Sequence, residues 1–309
     1  MTNQAFYLPP GQTGWGLRTA ATPGNIDFTY PFYYSLPSDP TYAIQCRYGD
    51  PSIWQYCALN NLQIHIPSYA EPEDSGTGTN NCWDTDHHMA IIDPATGTEY
   101  DLWGSCQPSG TGGDLEIGWG GLGHITGSNM DQGISTYAAA QSGFALTIGI
   151  VRSADITAGT IPHALQMAIP CAADGVYPAS VPSDQYCPSG TQDSPYYGMR
   201  VQLNMTDAQI DALNVPDYAK PILIALAHYG AFVCDTGTSD EMELKTESGL
   251  TYTRLGLADP WETLALQYGI LPYSNASDPY NAYLFPISAP NLVAQYLRVI
   301  DPCVTAGTC

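Results

Sequence analysis

The sequence predicts a mainly β protein, a single-domain β-sandwich or jelly roll over residues 1–309 with two or three peripheral helices. Three observations predict it. Short alternating or apolar segments recur along the chain, bounded by Gly, Pro, Asn and Asp. Several of them are continuously apolar, as in strands covered on both faces. The nine cysteines fall in closely spaced pairs with one left over, a pattern that suits a disulfide-stapled exported fold.

In chain order, residues 1–30 read as an extended segment, and the Pro, Gly and Tyr of residues 1–60 favour short edge strands. The start, MTNQAFYLPPGQTGWG, has neither a basic stretch nor an apolar run. Any export signal is therefore expected to have been cleaved. LQIHIP (62–67) alternates, and HHMAIID (87–93), the turn PATG (94–97) and TEYDLW (98–103) make a hairpin. Further strands are expected in LEIGW (115–119), GFALTIGIV (143–151), HALQMAI (163–169), GMRVQLN (198–204), GAFVCD (230–235) and EMELKTE (241–247). Thr206 with Gln209 forms a capping-box pattern opening a helical stretch towards His228, which Pro216 and Pro221 are expected to break. Asp259-Pro260-Trp261-Glu262 has the order cap, Pro at N1 and acidic N3, and Gly269 stops that helix. No repeat is evident, and no linker separates two cores.

Spacing predicts the local bridges Cys46–Cys57, Cys82–Cys106, Cys171–Cys187 and Cys303–Cys309, with Cys234 a buried free thiol in AFVCD. No CxxC pair occurs, which disfavours a cysteine metal site.

The formal charge of −22 comes from scarcity of base, with Lys+Arg only 8 against Asp+Glu 30. No basic patch is available to neutralise phosphates, so nucleic acid is excluded as a partner and anionic membranes are disfavoured. No apolar run reaches membrane-spanning length, so no membrane insertion is expected. Low total charge with 22 tyrosines suits an extracellular, acidic medium, where carboxylates partly protonate and self-repulsion falls.

The densest polar cluster is Asp84-Thr85-Asp86-His87-His88-Met89, followed on the hairpin by Asp93, Glu99, Asp101 and Trp103. Strand alternation puts Asp86 and His88 on one face, with Asp101 or Trp103 nearby on the partner strand. A carboxylate, an imidazole and an aromatic platform are the parts needed for acid/base work on a stacked sugar. Asp86 and His88 serve equally well as a loop cap and a core histidine, and Asp93 reads as turn chemistry. His163 follows a Gly-Thr-Ile-Pro turn at a sheet rim. Arg200, mid-strand in the segment that begins at Tyr196 and Tyr197, needs either a carboxylate or an anionic ligand if it faces inward. His228 at a helix end is favoured by the dipole alone, and Asp235 ends the next strand.

The candidate catalytic set is thus Asp86, His88, Asp101, His163 and Asp235, with Trp103, Arg200, Tyr197 and His228 as substrate-binding residues. The expected function is an extracellular carbohydrate-active enzyme, foremost a glycoside hydrolase acting on a neutral polysaccharide or oligosaccharide through Asp86 and Asp101. A polysaccharide lyase using His88 or His163 with Arg200 and a non-catalytic glycan-binding or cell-envelope protein are the alternatives, and a peptidase active at low pH is a further one. No cofactor is required. Structural calcium near residues 71–86, or a divalent metal on His88, His163 and Asp86, stays open. Serine-hydrolase, zincin and nucleotide-binding motifs are absent from the sequence.

Read as a set, Ile66-Pro67, Asp86-x-His88-Met89, Asp93-x-x-Thr96, Tyr100-Asp101-x-Trp103, His163-Ala164-Leu165, Gly198-Met199-Arg200, His228-Tyr229-Gly230, Asp235-Thr236-Gly237 and Val299-Ile300-Asp301-Pro302-Cys303 resemble a family of secreted bacterial β-rich proteins. The resemblance runs from about residue 30 to the end and implies an extracellular β protein, with no activity attached. This chain departs from the pattern with His87 in place of a small residue and Cys234 in place of Gly.

Overall fold

Alternating and apolar segments become strands across the residues the computed structural model describes: 17–21, 29–48, 57–73, 82, 86–125, 139–173, 195–236, 242–272, 283–287 and 292–300. In chain order the strands are β1 (Leu17–Ala21), β2 (Thr29–Tyr30), β3 (Phe32–Tyr34), β4 (Thr41–Cys46), β5 (Gln63–His65), β6 (Met89–Asp93), β7 (Thr98–Trp103), β8 (Gly113–Ile117), β9 (Trp119–His124), β10 (Leu165–Ile169), β11 (Arg200–Leu203), β12 (Ala231–Thr236), β13 (Met242–Leu244), β14 (Thr246–Glu247), β15 (Tyr283–Pro286) and β16 (Leu297–Val299). The helices are α1 (Ser153–Ala158), α2 (Asp207–Asp211), α3 (Ala219–His228), α4 (Leu250–Thr253), α5 (Pro260–Tyr268) and α6 (Leu292–Tyr296). The protein is mainly β, as its patterning predicts. Parallel ladders join β1 to β13, β3 to β6, β4 to β8 and β10 to β12, so the sheets are mixed. A jelly roll of purely antiparallel strands has no such ladders.

Contacts divide the chain into two compact units, each gathered from distant segments: Met1–Ala20, Ile148–Thr246 and Leu284–Cys309 in the first, Ala21–Thr147 and Glu247–Tyr283 in the second. The first unit carries a seven-stranded sheet in the order β15-β1-β13-β10-β12-β11-β16. Cross-strand partners lie on the same face, and alternation along each strand sorts the two faces. Leu165, Met167, Leu244, Ala231, Val233, Val201 and Val299 share one face and are buried. Gln166, Ala168, Glu243, Phe232, Asp235, Arg200, Gln202 and Arg298 share the other.

In the second unit a four-stranded sheet, β3-β6-β7-β9, and a three-stranded sheet, β5-β4-β8, carry the core. Tyr33, Met89, Ile91 and Leu102 from the first sheet cluster with Tyr42, Ile44, Ile64, Leu115 and Ile117 from the second. Each such side chain stabilises the fold by about 1.5–3 kcal/mol when fully buried. Cys46–Cys57 ties the end of β4 to this core, and Cys82–Cys106 fastens the segment that precedes β6 to the one that follows β7. Cys171 is disulfide-bonded, while Cys187, Cys303 and Cys309 lie outside the described residues. Cys234 is a buried free thiol, as its apolar setting predicts.

The helix signals transfer well. Thr206 and Gln209 form the reciprocal capping box of α2, and Asp259 caps α5 through the Trp261 amide before Gly269 ends it with φ 66°. Pro221 is a correction: it sits in the first turn of α3 rather than breaking a helix, because that turn has no intrahelical use for its N–H. GFALTIGIV is another. Residues 143–150 turn repeatedly, and only Val151 bridges, to Thr246. The apolar run lacks a ladder because carboxylates take the Leu146 and Thr147 amides. Gly149 then turns with φ 73° where a Cβ would come within 2.7 Å of the Ala164 carbonyl.

Candidate functional site

Strand β6 begins at Met89, so residues 86–88 do not alternate as strand neighbours. His87 has φ 42°, a left-handed conformation that is costly for a side chain of this size, on the order of 1–3 kcal/mol. Two backbone bonds hold the turn in place: Gly104 N donates to Asp86 O at 2.7 Å and Ser105 N to His87 O at 3.2 Å. These bonds carry the hairpin's pairing past Trp103 and bring its indole to Asp86. Trp103 Nε1 donates to Asp86 Oδ1 at 2.8 Å.

Around that bond lies a partly exposed platform. Gly118 leaves room for the indole, since a Cβ there would come within 2.8 Å of the ring. Gly118 N donates to Trp103 O, and Tyr48 N donates to Gly118 O at 3.0 Å, which brings the Tyr48 ring to 5.9 Å from the Trp103 ring. The Arg47 guanidinium lies 5.9 Å from the Tyr48 ring centre. Trp103, Tyr48 and Asp86 are half-buried and Arg47 is exposed. Two rings and a carboxylate thus lie together on the second unit, with the Arg47 guanidinium beside the Tyr48 ring.

The other predicted residues of this unit lie inside. His88 is 4% exposed, and its Nδ1 bonds Glu73 Oε1, which also accepts from the His88 amide at 3.1 Å. The Tyr30 ring meets the imidazole edge-on at 5.0 Å. His87 Nδ1 donates to Glu73 O at 3.0 Å. Asp101 is fully buried, with Oδ2 accepting from Leu146 N at 2.9 Å and Ala139 N at 3.2 Å. Burial above all, and then the neighbouring Glu99, hold the Asp101 carboxyl well above the usual carboxylate range, with the two amides pulling the other way. Asp86 and Asp101 thus have different partners: one holds an indole at the rim, the other holds backbone amides in the interior. Asp93 accepts from the Ala95 and Thr96 amides, the turn chemistry expected of it.

The remaining predicted residues belong to the first unit. Asp235 Oδ2 pairs with Lys245 Nζ at 3.1 Å, the lysine being 1% exposed. Tyr197 is buried and donates to Thr236 Oγ1 at 3.0 Å. The Arg200 Nε is buried without a hydrogen-bond partner. His163 is half-exposed beside Asp155, 3.6 Å from its Oδ2, and precedes rather than begins β10. Exposed His228, at the end of α3, pairs with Asp207 Oδ1 at 2.7 Å. A small cavity of about 160 Å³ lies at the β11–β16 edge, lined by Gln202, Asn204 and Arg298 among others.

Sequence reasoning missed Glu73, Tyr48 and Lys245. For Lys245 a signal existed: Glu243, Lys245 and Glu247 alternate with Met242 and Leu244, a charged face on a segment whose whole length is buried. For Glu73 and Tyr48 there was none, since each reaches its partner through tertiary contact. Among the described residues no group of three or more His, Cys, Asp or Glu side chains is placed to hold a metal ion. Nor is any helix among them long and apolar enough to cross a membrane. Comparison with protein-family models, with curated proteins and with solved structures finds no match.

Proposed function

We propose that the protein is an extracellular glycan-recognition protein that takes neutral polysaccharide chains on the Trp103–Tyr48–Asp86 platform. The observation that carries this reading is the Trp103 indole, fixed by Asp86 at 2.8 Å and left half-exposed beside a second ring. A sugar presents C–H groups to an aromatic face and hydroxyls at its rim. Trp103 and Tyr48 supply the face, and the Asp86 carboxylate and Arg47 supply an acceptor and a donor for hydroxyls. A net charge of −22 repels uronates and sulfated polymers, which favours a neutral chain. Disulfides in the second unit suit an oxidising, extracellular setting.

Binding is the form the geometry favours over hydrolysis. Glycoside hydrolysis needs a second carboxyl facing the same bond, about 5–9.5 Å from the first. Asp101, the expected partner of Asp86, has no exposure with which to meet a sugar. The test is retention on insoluble neutral glycans with product analysis. Wild-type protein is retained and releases no reducing sugar, while a folded Trp103→Ala variant loses affinity about tenfold or more. Equal retention of that variant would refute the platform. Sugar release that disappears in Asp86→Asn would move the protein to the hydrolases.

A further inference from the structure

Glu99 and Asp101 occupy alternate positions of β7 and so point from the same face of the four-stranded sheet. Both are buried, at 3% and 0% exposure. Residues 139–147 cross that face, and the two carboxyls hold them by their donors. Asp101 Oδ2 takes the Ala139 and Leu146 amides, Glu99 Oε1 takes the Thr147 amide at 2.9 Å, and Glu99 Oε2 takes the Thr147 hydroxyl at 2.5 Å. Among the described residues, the cross-strand partners of the two carboxyls are uncharged. The register partners are Ala90 and Ile92 on β6 and Gly121 and Gly123 on β9, with Phe32 and the exposed Tyr34 beyond on β3. The covering segment, AAQSGFALT, has no ionisable side chain. His124 pairs with Thr98 and lies on the opposite face. One atom stands out: Asp101 Oδ1 is buried with no hydrogen-bond partner, beside the Glu99 carboxyl.

We propose that Glu99 and Asp101 share a single proton and form an acid-closed clamp on residues 139–147. With one proton on Asp101 Oδ1, that orphaned atom becomes a donor towards Glu99, and the pair carries one negative charge distributed over four N–H and O–H donors. Loss of the proton to water leaves two negative charges side by side, with no cation among the described residues facing them. Their repulsion then opposes the geometry that holds the segment. The sign follows from the direction of the Asp101 shift. A carboxyl that binds its proton more tightly folded than unfolded gives stability that is full below the unfolded pKa of about 4. That stability is lost as the pH rises through the folded value. The clamp closes in acid and loosens towards neutral and alkaline media.

The test is hydrogen exchange on the full chain from pH 4 to pH 9, corrected for intrinsic exchange chemistry. Protection of the Ala139, Leu146 and Thr147 amides should fall by about tenfold or more with rising pH, while the Val233 amide in β12 of the other unit keeps its protection. Protection that stays flat, or that falls equally at Val233, overturns the proposal. In Asp101→Asn the amide oxygen still accepts from the segment and the amide NH₂ replaces the shared proton, so the pH step should vanish. A persisting step overturns the proposal. Glu99→Gln gives the same two outcomes should Asp101→Asn fail to fold.

Discussion

Two sites, one in each unit, meet the same difficulty, a carboxylate on a sheet face largely withdrawn from water, and resolve it differently. At the first, Asp235 faces Lys245, so a fixed cation balances the charge. At the second, the described neighbours of Glu99 and Asp101 are Ala90, Ile92, Gly121, Gly123 and a segment without charge, so N–H and O–H donors and a proton balance them. A cation supplies a full charge but needs a long side chain and its own desolvation. Backbone amides supply partial charges and leave the balance to the solvent's proton activity. The difference suits a chain with 8 basic residues, of which Lys220 and Lys245 are the lysines. Where bases are scarce, a buried carboxyl must find another neutraliser.

Four variants break or sharpen that contrast. Lys245→Ala removes the cation and leaves Asp235 facing a void, and should cost about 3 kcal/mol by urea denaturation. That lies at the low end for buried pairs, because the Asp235 side chain keeps 23% exposure. Thr147→Val keeps the shape but takes a donor from the Glu99 carboxylate, and should cost about 2 kcal/mol. Its effect should be smallest in acid, where the pair carries one negative charge less. Replacing Asp235 by Leu together with Lys245 by Met removes both charges at similar volume and should leave stability within about 1 kcal/mol of wild type, by thermal melting. A loss as large as that of Lys245→Ala would mean the pair is held for more than mutual neutralisation. His228→Gln removes an exposed pair with Asp207 and should change the melting midpoint by less than about 0.5 kcal/mol's worth.

Legibility differed by kind of signal. The capping box at Thr206, the cap at Asp259, the stop at Gly269 and the turn at Asp93 all read correctly, because each is a bond between residues a few positions apart. The bridges Cys46–Cys57 and Cys82–Cys106 span 11 and 24 positions and were legible because each joins a cysteine to its nearest neighbour of that kind in the chain. Residues 143–151 were misread because an apolar run reports burial, not the ladder that achieves it. Of the candidate site, Asp86 and Trp103 were both singled out. Their direct bond was not, since it depends on a left-handed His87 that alternation does not allow for. Glu99 was noticed only as part of a polar cluster. Its use as an anchor for residue 147 spans 48 positions and leaves no local trace.

By itself the sequence determined the strand-rich class, the local caps and turns, the short disulfides and the poverty of positive charge, because these depend on neighbours in the chain or on composition. Tertiary structure alone decided which carboxyls meet a lysine, an indole or a backbone amide. Burial multiplies the energy of such a meeting, yet the partners come together only once distant strands have chosen their register.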